Sequence, residues 1–179
     1  MKPWRRKKGL MRAAKFSTTF DPMEREVLGN LAATVAEALM ERARTAPRDE
    51  LAQMMGLPAG HKDAPEDPSL ARLLPDFERD GDEEFDGDNA LLRSLHETDI
   101  ISGKLGNLQA ITSAVGPDGG VEVSLDEREA QQFLAGLNDL RLYLAAGEGH
   151  NETQAQDRDD LVEWLAYNQD SLLSALMGE

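Results

Sequence analysis

The chain contains no cysteine among its 179 residues. This absence excludes disulfides, thiolate metal sites, cysteine nucleophiles and thiol redox switches. Aromatic residues make up only 5% of the sequence, so aliphatic side chains must fill most of the core. No apolar run approaches the roughly 18 residues needed to cross a bilayer, and no hydrophobic segment follows the basic N-terminus as in a secretory signal. We therefore expect a cytoplasmic protein without a membrane segment.

Charge is plentiful but unevenly shared along the chain. Seven basic residues precede the first acidic one, and the rest of the chain holds 12 basic and 34 acidic residues, a balance of −22. Such an acidic body repels the phosphate backbone, so DNA contact is expected through the basic N-terminal arm only. We place this arm at residues 1–12 and a helical domain at 13–179. The acidic body itself suits a protein partner with a basic surface.

Near its start the arm has a cluster of one tryptophan followed by four basic residues. Three interpretations stay open: contact with nucleic acid, docking on an acidic protein surface, or a solubilising tail. No helical period is visible in residues 1–20, which predicts either a frayed segment at 1–8 or two extended pieces at about 3–8 and 11–19 with Gly9 at a turn. The cluster consists of Trp4, Arg5, Arg6, Lys7 and Lys8.

A first helix is predicted from Asp21 onward. Asp21 is the expected N-cap, Pro22 occupies the first helical position where its missing amide is harmless, and Glu24 completes a capping box. Pro47 is expected to end the helix. Its predicted buried stripe is Val27, Leu28, Leu31, Val35, Ala38 and Leu39.

We expect the rest of the chain to be organised around a helix predicted at 124–144. Ser124 and Glu127 form a candidate capping box at its start. Apolar residues then recur at the three- and four-residue spacing of one buried face. These residues are Ala130, Phe133, Leu134, Leu137, Leu140, Tyr143 and Leu144.

Five further segments have weaker patterns. A short helix is predicted at about 49–55, and Pro75 limits any helix in 69–80 to a turn or two. Asp88 or Asn89 is expected to cap a helix reaching Val115, which Gly103 and Gly106 weaken and which could break at 97–102. Residues 148–160 are expected to be a loop or frayed entry, followed by a last helix at 161–177.

Alternating apolar residues at 121–125 predict a short strand. The segment 13–19 is the best candidate to pair with it. The sequence therefore predicts a mainly α protein, a single-domain helical bundle with a small two- or three-stranded β element.

Candidate chemical sites are weak. Asp82, Glu84, Asp86 and Gly87 match the start of a calcium loop, but Arg93 stands where the bidentate glutamate is required. The three histidines are far apart in sequence and give no metal-ligand spacing. No nucleophile elbow, P-loop or dinucleotide fingerprint is present. We therefore expect no metal, no cofactor and no catalytic residues.

A polar network inside the helical domain is the more specific expectation. Asparagine and aspartate together in a helix interior compete for backbone hydrogen bonds, so they are expected to have partners on neighbouring helices. A structural network is the preferred interpretation and a partner interface the second. The candidate residues are Arg72, Asp76, Arg93, Asn138, Asp139 and Arg141.

Several motifs in combination resemble one known family. They are Trp4-Arg5-Arg6, Arg72-Leu73-Leu74-Pro75-Asp76 before an acidic stretch, Leu92-Arg93, Leu137-Asn138-Asp139 with Arg141-Leu142, and Trp164-Leu165. Over nearly its whole length the chain resembles the actinobacterial oxidative-stress transcriptional regulators of the AosR type, long catalogued as a domain of unknown function. The resemblance implies a non-enzymatic regulator in the cytoplasm, with a sigma factor or RNA polymerase as protein partner and no cofactor.

The resemblance has one clear departure. Thiol-based sensing proposed within the family needs cysteines, so either an oxidative signal here comes through a partner or one of the seven methionines, or the sensing role is absent from this member. Two alternative functions stay open, an adaptor in regulated protein turnover and, ranked last, a hydrolase-like enzyme. The first follows from the protease-adaptor genes that typically lie beside such regulators. The sequence leaves the oligomeric state open.

Overall fold

A computed structural model describes residues 1–9, 12–47, 50–57, 59–77, 85–116, 121–147 and 151–178. Long helices pack around one apolar core and a three-stranded antiparallel sheet lies at one side, which confirms the predicted fold class. The elements are β1 (Arg5–Gly9), β2 (Arg12–Thr19), α1 (Pro22–Arg44), α2 (Glu50–Met54), α3 (Pro68–Leu73), α4 (Phe85–Val115), β3 (Glu122–Leu125), α5 (Glu127–Ala146) and α6 (Glu152–Met177).

The sheet joins the start of the chain to its middle. Its strand order is β1-β2-β3, so β2 is central and both outer strands are edges. Phe16 lies opposite Leu125 and Thr18 opposite Val123, which fixes the register of β2 against β3. Both predicted extended pieces are confirmed, as is the pairing of 13–19 with 121–125. The frayed-tail interpretation of residues 1–8 is wrong, because β1 pairs with β2.

Helix α1 begins as the sequence predicted. Pro22 is its first residue, and the Glu24 carboxylate accepts a hydrogen bond from the Asp21 amide at 2.8 Å. Burial alone would raise the pKa of Glu24, but hydrogen bonds from the Met1 amine, the Asp21 amide and Trp164 Nε1 together hold this pKa below its ordinary value. One carboxylate thus caps α1 and ties it to the N-terminus and to α6.

Three predicted helix starts are wrong. Helix α5 begins at Glu127 with Asp126 and Glu129 as its capping box, because Ser124 belongs to β3. Helix α4 begins at Phe85, so Asn89 lies inside it. Helix α6 begins at Glu152, so much of the predicted loop at 148–160 is helical.

Two smaller expectations are also corrected. The proposed break at 97–102 is absent, since α4 runs unbroken from Phe85 to Val115. Val27 is 38% exposed, whereas Leu28, Val35 and Leu39 of the predicted stripe are buried. Ala32 completes that buried stripe. Helix α4 stays unbroken despite Gly103 and Gly106, because its residues Ile101, Leu108 and Ile111 on either side of these glycines are buried in the core.

Helices α4 and α5 approach each other closely at Gly136. A Cβ atom there would lie 2.7 Å from Ile111 Cδ1 and 3.0 Å from the Asn107 carbonyl oxygen. At Gly103, in the same α4, a Cβ would meet nothing within 4 Å. The close helix crossing therefore requires glycine at one of these positions and not at the other.

We expect Gly136→Ala to lower the free energy of unfolding by about 1–3 kcal/mol, because the added methyl overpacks the crossing. The matched control Gly103→Ala should raise it by about 0.5–1 kcal/mol, because alanine is the better helix former at an open site. Urea denaturation followed by circular dichroism measures both. Equal effects of the two substitutions would contradict a close crossing at Gly136.

Candidate partner-binding surface

The sheet covers the helices with one face and presents the other to solvent. Residues directly opposite each other in neighbouring strands point to the same side. Phe16, Leu125 and Val123 are buried on the helix side. The alternate positions therefore form the open face of the sheet, where Arg5 lies opposite Ser17 and Lys7 lies opposite Lys15.

The open face combines cations with hydroxyl groups. Arg5, Lys7 and Lys15 are exposed there. Ser124 lies opposite Ser17, and Thr19 lies opposite Glu122, the only acidic residue at a paired position of this face in the described strands. A shallow cavity of about 410 Å³ lies over this region and is lined in part by Lys2, Arg5, Lys7, Ser17 and Ser124. Cations with hydroxyl donors are the groups that bind phosphate oxygens or carboxylates.

Trp4 has a different role from the cations that follow it. Its side chain is 5% exposed. Its Nε1 donates to Asn168 Oδ1 at 2.7 Å, and its ring packs edge-on against Phe133 with centroids 5.4 Å apart. The ring therefore has no exposed face on which a base could stack. Trp4 instead anchors β1 so that the neighbouring cations are held in fixed positions.

Arg6 lies opposite Phe16 and therefore points towards the helix side, but it remains exposed. The Arg6 guanidinium lies 5.9 Å from the centre of the Phe16 ring. A Cβ on Gly178, just after the end of α6, would lie 3.1 Å from Arg6 Nη1. The negative C-terminal end of the α6 dipole stabilises a cation at this position. Lys8 is exposed. The contact role of Arg5, Arg6, Lys7 and Lys8 with a partner stays a prediction.

A second charged surface lies on α6. Asn151 caps this helix by accepting from the Gln154 amide at 2.9 Å. The first half of α6 then exposes five carboxylates, a set we call the α6 acidic segment. Sequence reasoning missed it because this stretch was interpreted as a loop, although Asn-x-x-Gln at 151–154 is a helix-start signal. The segment consists of Glu152, Asp157, Asp159, Asp160 and Glu163.

The predicted polar network divides into two groups in the structure. In the first, Arg93 is 2% exposed and donates to Asp76 Oδ1 at 2.6 Å, to Glu97 Oε2 at 2.9 Å and to the Leu74 carbonyl at 3.0 Å. Arg42 Nε donates to the other oxygen of Glu97 at 2.7 Å. Two arginines and two carboxylates therefore balance in charge and connect α1, α4 and the segment after α3.

The second group lies on α5. Asp139 is buried and accepts from Lys104 Nζ of α4 at 2.6 Å, while Arg141 reaches Asn138 at 3.5 Å within the same helix. Arg72 is exposed on α3 and belongs to neither group. Sequence reasoning missed Arg42, Glu97 and Lys104. The spacing of Arg93 and Glu97 at i and i+4 was the available signal.

Within the part of the chain that the structure describes, no group of three or more histidine or acidic residues is placed to hold a metal ion. Both oxygens of Glu97 accept from guanidinium groups, which fits a structural role. The candidate calcium residues Asp82 and Glu84, and also His150, lie outside the described residues. None of the described helices is long and apolar enough to cross a bilayer.

Comparison with known proteins gives one consistent group of relatives. The sequence profile of a domain of unknown function, DUF2017, matches residues 1–176. Two relatives, from Mycobacterium tuberculosis and Mycobacterium bovis, are named oxidative stress regulator AosR. Each is 35% identical over 187 residues, covering 92% of this chain and 83% of the relative. A Mycobacterium leprae protein, named putative oxidative stress regulator AosR, is 33% identical over 184 residues, covering 91% and 83%. No solved structure gives a significant match.

Proposed function

The chain belongs to the DUF2017 family, and from that premise we propose that it is a non-enzymatic regulator of the stress response that binds the transcription machinery. Its relatives are named oxidative stress regulators, which supports a regulatory role in stress response. The finer proposal is that the protein partner is a sigma factor or RNA polymerase. We also propose that the protein acts in the cytoplasm.

The observation that carries the proposal is the separation of charge on the surface. The open face of the sheet presents Arg5, Lys7 and Lys15 to solvent, while the α6 acidic segment presents carboxylates. Surfaces of opposite sign attract different partners and steer their encounter. In this proposal the acidic body binds a basic surface of the protein partner, and the open face contacts phosphates of the DNA that this partner holds.

The open face of the sheet carries few cations, which limits it to a supporting contact with DNA. Three or four cations on a body with a balance of −22 give weak and salt-sensitive contact with phosphate. DNA contact through this face therefore supports a complex that a protein partner has already formed. Autonomous binding to duplex DNA is not part of the proposal.

Two sets of charge changes test the two surfaces separately. We expect Asp157→Asn/Asp160→Asn/Glu163→Gln to lower recovery of sigma factor and polymerase in affinity purification from stressed cells. We expect Arg5→Glu/Lys7→Glu/Lys15→Glu to keep that recovery but to reduce co-purified DNA by about tenfold or more, because phosphate contacts are lost. Mass spectrometry and quantitative sequencing measure the two outcomes.

The matched control for the basic-face variant is Arg44→Glu/Lys62→Glu/Arg72→Glu, which also reverses three cations and does so at exposed positions outside the open face and the α6 acidic segment. It should leave protein and DNA recovery near the wild-type level. If the unaltered chain recovers no transcription protein from stressed cells, the proposal is wrong. Recovery of a protease adaptor in its place would favour the turnover function.

A further inference from the structure

Strand β3 is an edge of the sheet, so one side of its backbone has no neighbouring strand in the part of the chain that the structure describes. The Phe20 amide donates to the Val121 carbonyl at 2.8 Å, and these two residues continue the β2–β3 register by one position. In an antiparallel ladder, opposite residues that exchange such bonds alternate with pairs that do not. Val123 therefore bonds to β2, while the amide and carbonyl groups of Glu122 and Ser124 point away from it.

An open groove of about 640 Å³ lies along this free edge. All of Glu122–Leu125 lines it and none of the described residues of β2 does, which places it on the side of β3 away from β2. Its other walls come from residues 106–114 of α4 and 128–132 of α5. A Cβ on Gly106 would meet nothing within 4 Å, so the space beside this wall is empty of protein atoms. We call this space the β3 groove.

The two edges of the sheet differ in how they are protected from other chains. Strand β1 presents consecutive cations and has a register shift between Lys7 and Gly9, and both features hinder pairing with a further strand. Strand β3 pairs with β2 in one continuous register, and Glu122 is its only charged residue. Unpaired amide and carbonyl groups along an edge are the groups to which an extended peptide adds as a new strand. The β3 edge is therefore the one suited to receive such a strand.

The side chains around the β3 groove determine which strand fits. Val123 and Leu125 are buried on the helix side. The small side chains of Ala110 and Ala114 line the groove from α4. Apolar side chains at alternate positions of an added strand would lie on that side. On the other side Glu122 is exposed and has no ion-pair partner among the described residues, so a cation opposite it would gain a cross-strand pair.

We propose that the β3 groove binds an extended segment of the protein partner, in which apolar and basic residues alternate, as a fourth strand antiparallel to β3. Asp126, Glu127 and Glu129 follow directly after β3, and Arg128 is the only cation among the described residues that line the groove. This excess of carboxylates favours a basic occupant. Backbone hydrogen bonds to Glu122 and Ser124 would supply affinity, and the alternating side chains would supply specificity.

A synthetic peptide tests this binding mode without the partner. The probe is fluorescein-labelled Gly-Lys-Val-Lys-Val-Lys-Gly, titrated with the purified full chain and followed by fluorescence anisotropy. One control, Gly-Lys-Lys-Val-Val-Lys-Gly, has the same charge without the alternation, and a second carries an N-methyl group on the backbone nitrogen of each lysine of the probe. We expect both controls to bind about tenfold or more weakly, because the first loses side-chain matching and the second loses the amide donors that face β3. Equal binding of the three peptides overturns the proposal, since net charge alone would then explain it.

Amide hydrogen exchange followed by NMR locates the bound peptide. We expect the probe to slow exchange at Glu122 and Ser124 by about fivefold or more, because their amides gain acceptors. Exchange at Val123 should change less, because its amide already bonds to β2. Unchanged exchange at Glu122 and Ser124 with bound probe would place the peptide elsewhere and overturn the proposal.

Variants of the chain test the groove from the other side. Ser113→Trp fills the α4 wall with a large side chain, and Ser102→Trp makes the same change at an exposed position about three turns earlier on the same helix, outside the groove. We expect the first to weaken probe binding by about tenfold and the second to leave it within about twofold. Ser124→Pro removes an amide that faces away from β2, so it should also weaken binding while the sheet is kept. Equal binding by Ser113→Trp and Ser102→Trp contradicts the proposal, and the peptide controls decide it if a variant does not fold.

A second copy of the chain is the competing occupant of the same edge. Light scattering after size-exclusion chromatography measures the mass of the wild type and of Ser124→Pro. We expect the same mass for both proteins. A wild-type dimer that Ser124→Pro converts to a monomer would show that β3 pairs with another β3, and it would overturn the proposal.

Assigning the β3 groove to the transcription machinery rests on the proposed function. In affinity purification from stressed cells, we expect Ser113→Trp to recover about fivefold less sigma factor and polymerase than Ser102→Trp. Equal recovery by the two variants overturns this assignment. Absence of recovery by the wild type overturns the proposed function, and the peptide measurements still decide whether the β3 edge binds an extended strand.

Discussion

Replacing Trp4 by alanine is expected to lower the free energy of unfolding by about 3–5 kcal/mol. The indole is buried between Phe133 and Phe20, with ring centroids 5.4 and 6.4 Å away. Alanine would leave a large cavity and remove the donor to Asn168 Oδ1. Because Asn168 is fully buried and its Nδ2 already has no partner among the described residues, losing this bond adds to the cavity cost.

Two matched variants identify the origin of that effect. Trp4→Phe keeps most of the ring but not the N–H group, so we expect a smaller loss of about 1–2 kcal/mol. Lys8→Ala, in the strand that follows Trp4 and exposed, should change stability by no more than about 0.5 kcal/mol. Urea denaturation of all three proteins gives the comparison. A Trp4→Ala protein as stable as Lys8→Ala would show that β1 is not packed on the helices.

The burial of Trp4 also determines how the basic residues of the arm should be tested. Deleting residues 1–12 would remove the cations, but it would also remove Trp4 and all of β1. A loss of partner binding after such a deletion would not distinguish a lost contact from a lost fold. Charge reversal at Arg5, Lys7 and Lys15 avoids this problem, because these side chains are exposed.

Replacing Glu97 by alanine is the second change with a large expected effect, a loss of about 3–5 kcal/mol. Glu97 is 2% exposed and accepts from both Arg93 and Arg42. Without its carboxylate, the buried Arg93 guanidinium keeps Asp76 as its only anionic partner among the described residues, and Asp76 is partly exposed to water. A buried charge with incomplete compensation is more costly than the lost attraction between the pair.

A double variant and a surface control test this explanation. Arg93→Met/Glu97→Met removes both buried charges, so it should recover about half or more of the stability lost in Glu97→Ala. Asp99→Ala changes an exposed carboxylate two residues away and should cost no more than about 0.5 kcal/mol. Thermal and urea unfolding measure the series. Equal stability of the Glu97→Ala and Asp99→Ala proteins would contradict the charge-burial explanation.

Much of the fold could be predicted where the signal is local. The start of α1 depends on Asp21, Pro22 and Glu24, which are within one turn of each other. The pairing of β2 with β3 followed from two short alternating segments, because few other strands were available. These signals act over a few residues, so a single sequence is enough to identify them.

The errors occur where two local patterns compete. Ser124-x-x-Glu127 and Asp126-x-x-Glu129 both fit a capping box. The structure uses the second, because Leu125 pairs with Phe16 and keeps Ser124 in β3. Asn89 likewise suited an N-cap, but it lies inside α4. Its side-chain oxygen instead accepts a hydrogen bond from the Phe77 amide, which precedes α4, at 2.8 Å. Contacts between distant residues decided both outcomes.

The candidate surface was only partly predictable. The sequence showed the basic cluster, but not that Trp4 is buried while Arg5 and Lys7 face solvent beside Lys15. The separation follows from the alternation of a strand once its register is known. Arg42 and Glu97, 55 residues apart, were not predicted as partners because no local spacing relates them.

By itself, the sequence determined the helical character, the excess of acid, the absence of thiol chemistry and the resemblance to its family, because these depend on composition and on patterns within a few residues. Only the tertiary structure decided that a tryptophan fixes the basic strand in place, and that a buried glutamate joins two arginines from different helices. Each of these depends on segments that meet only when the chain folds, since burial and charge pairing are properties of neighbours in space.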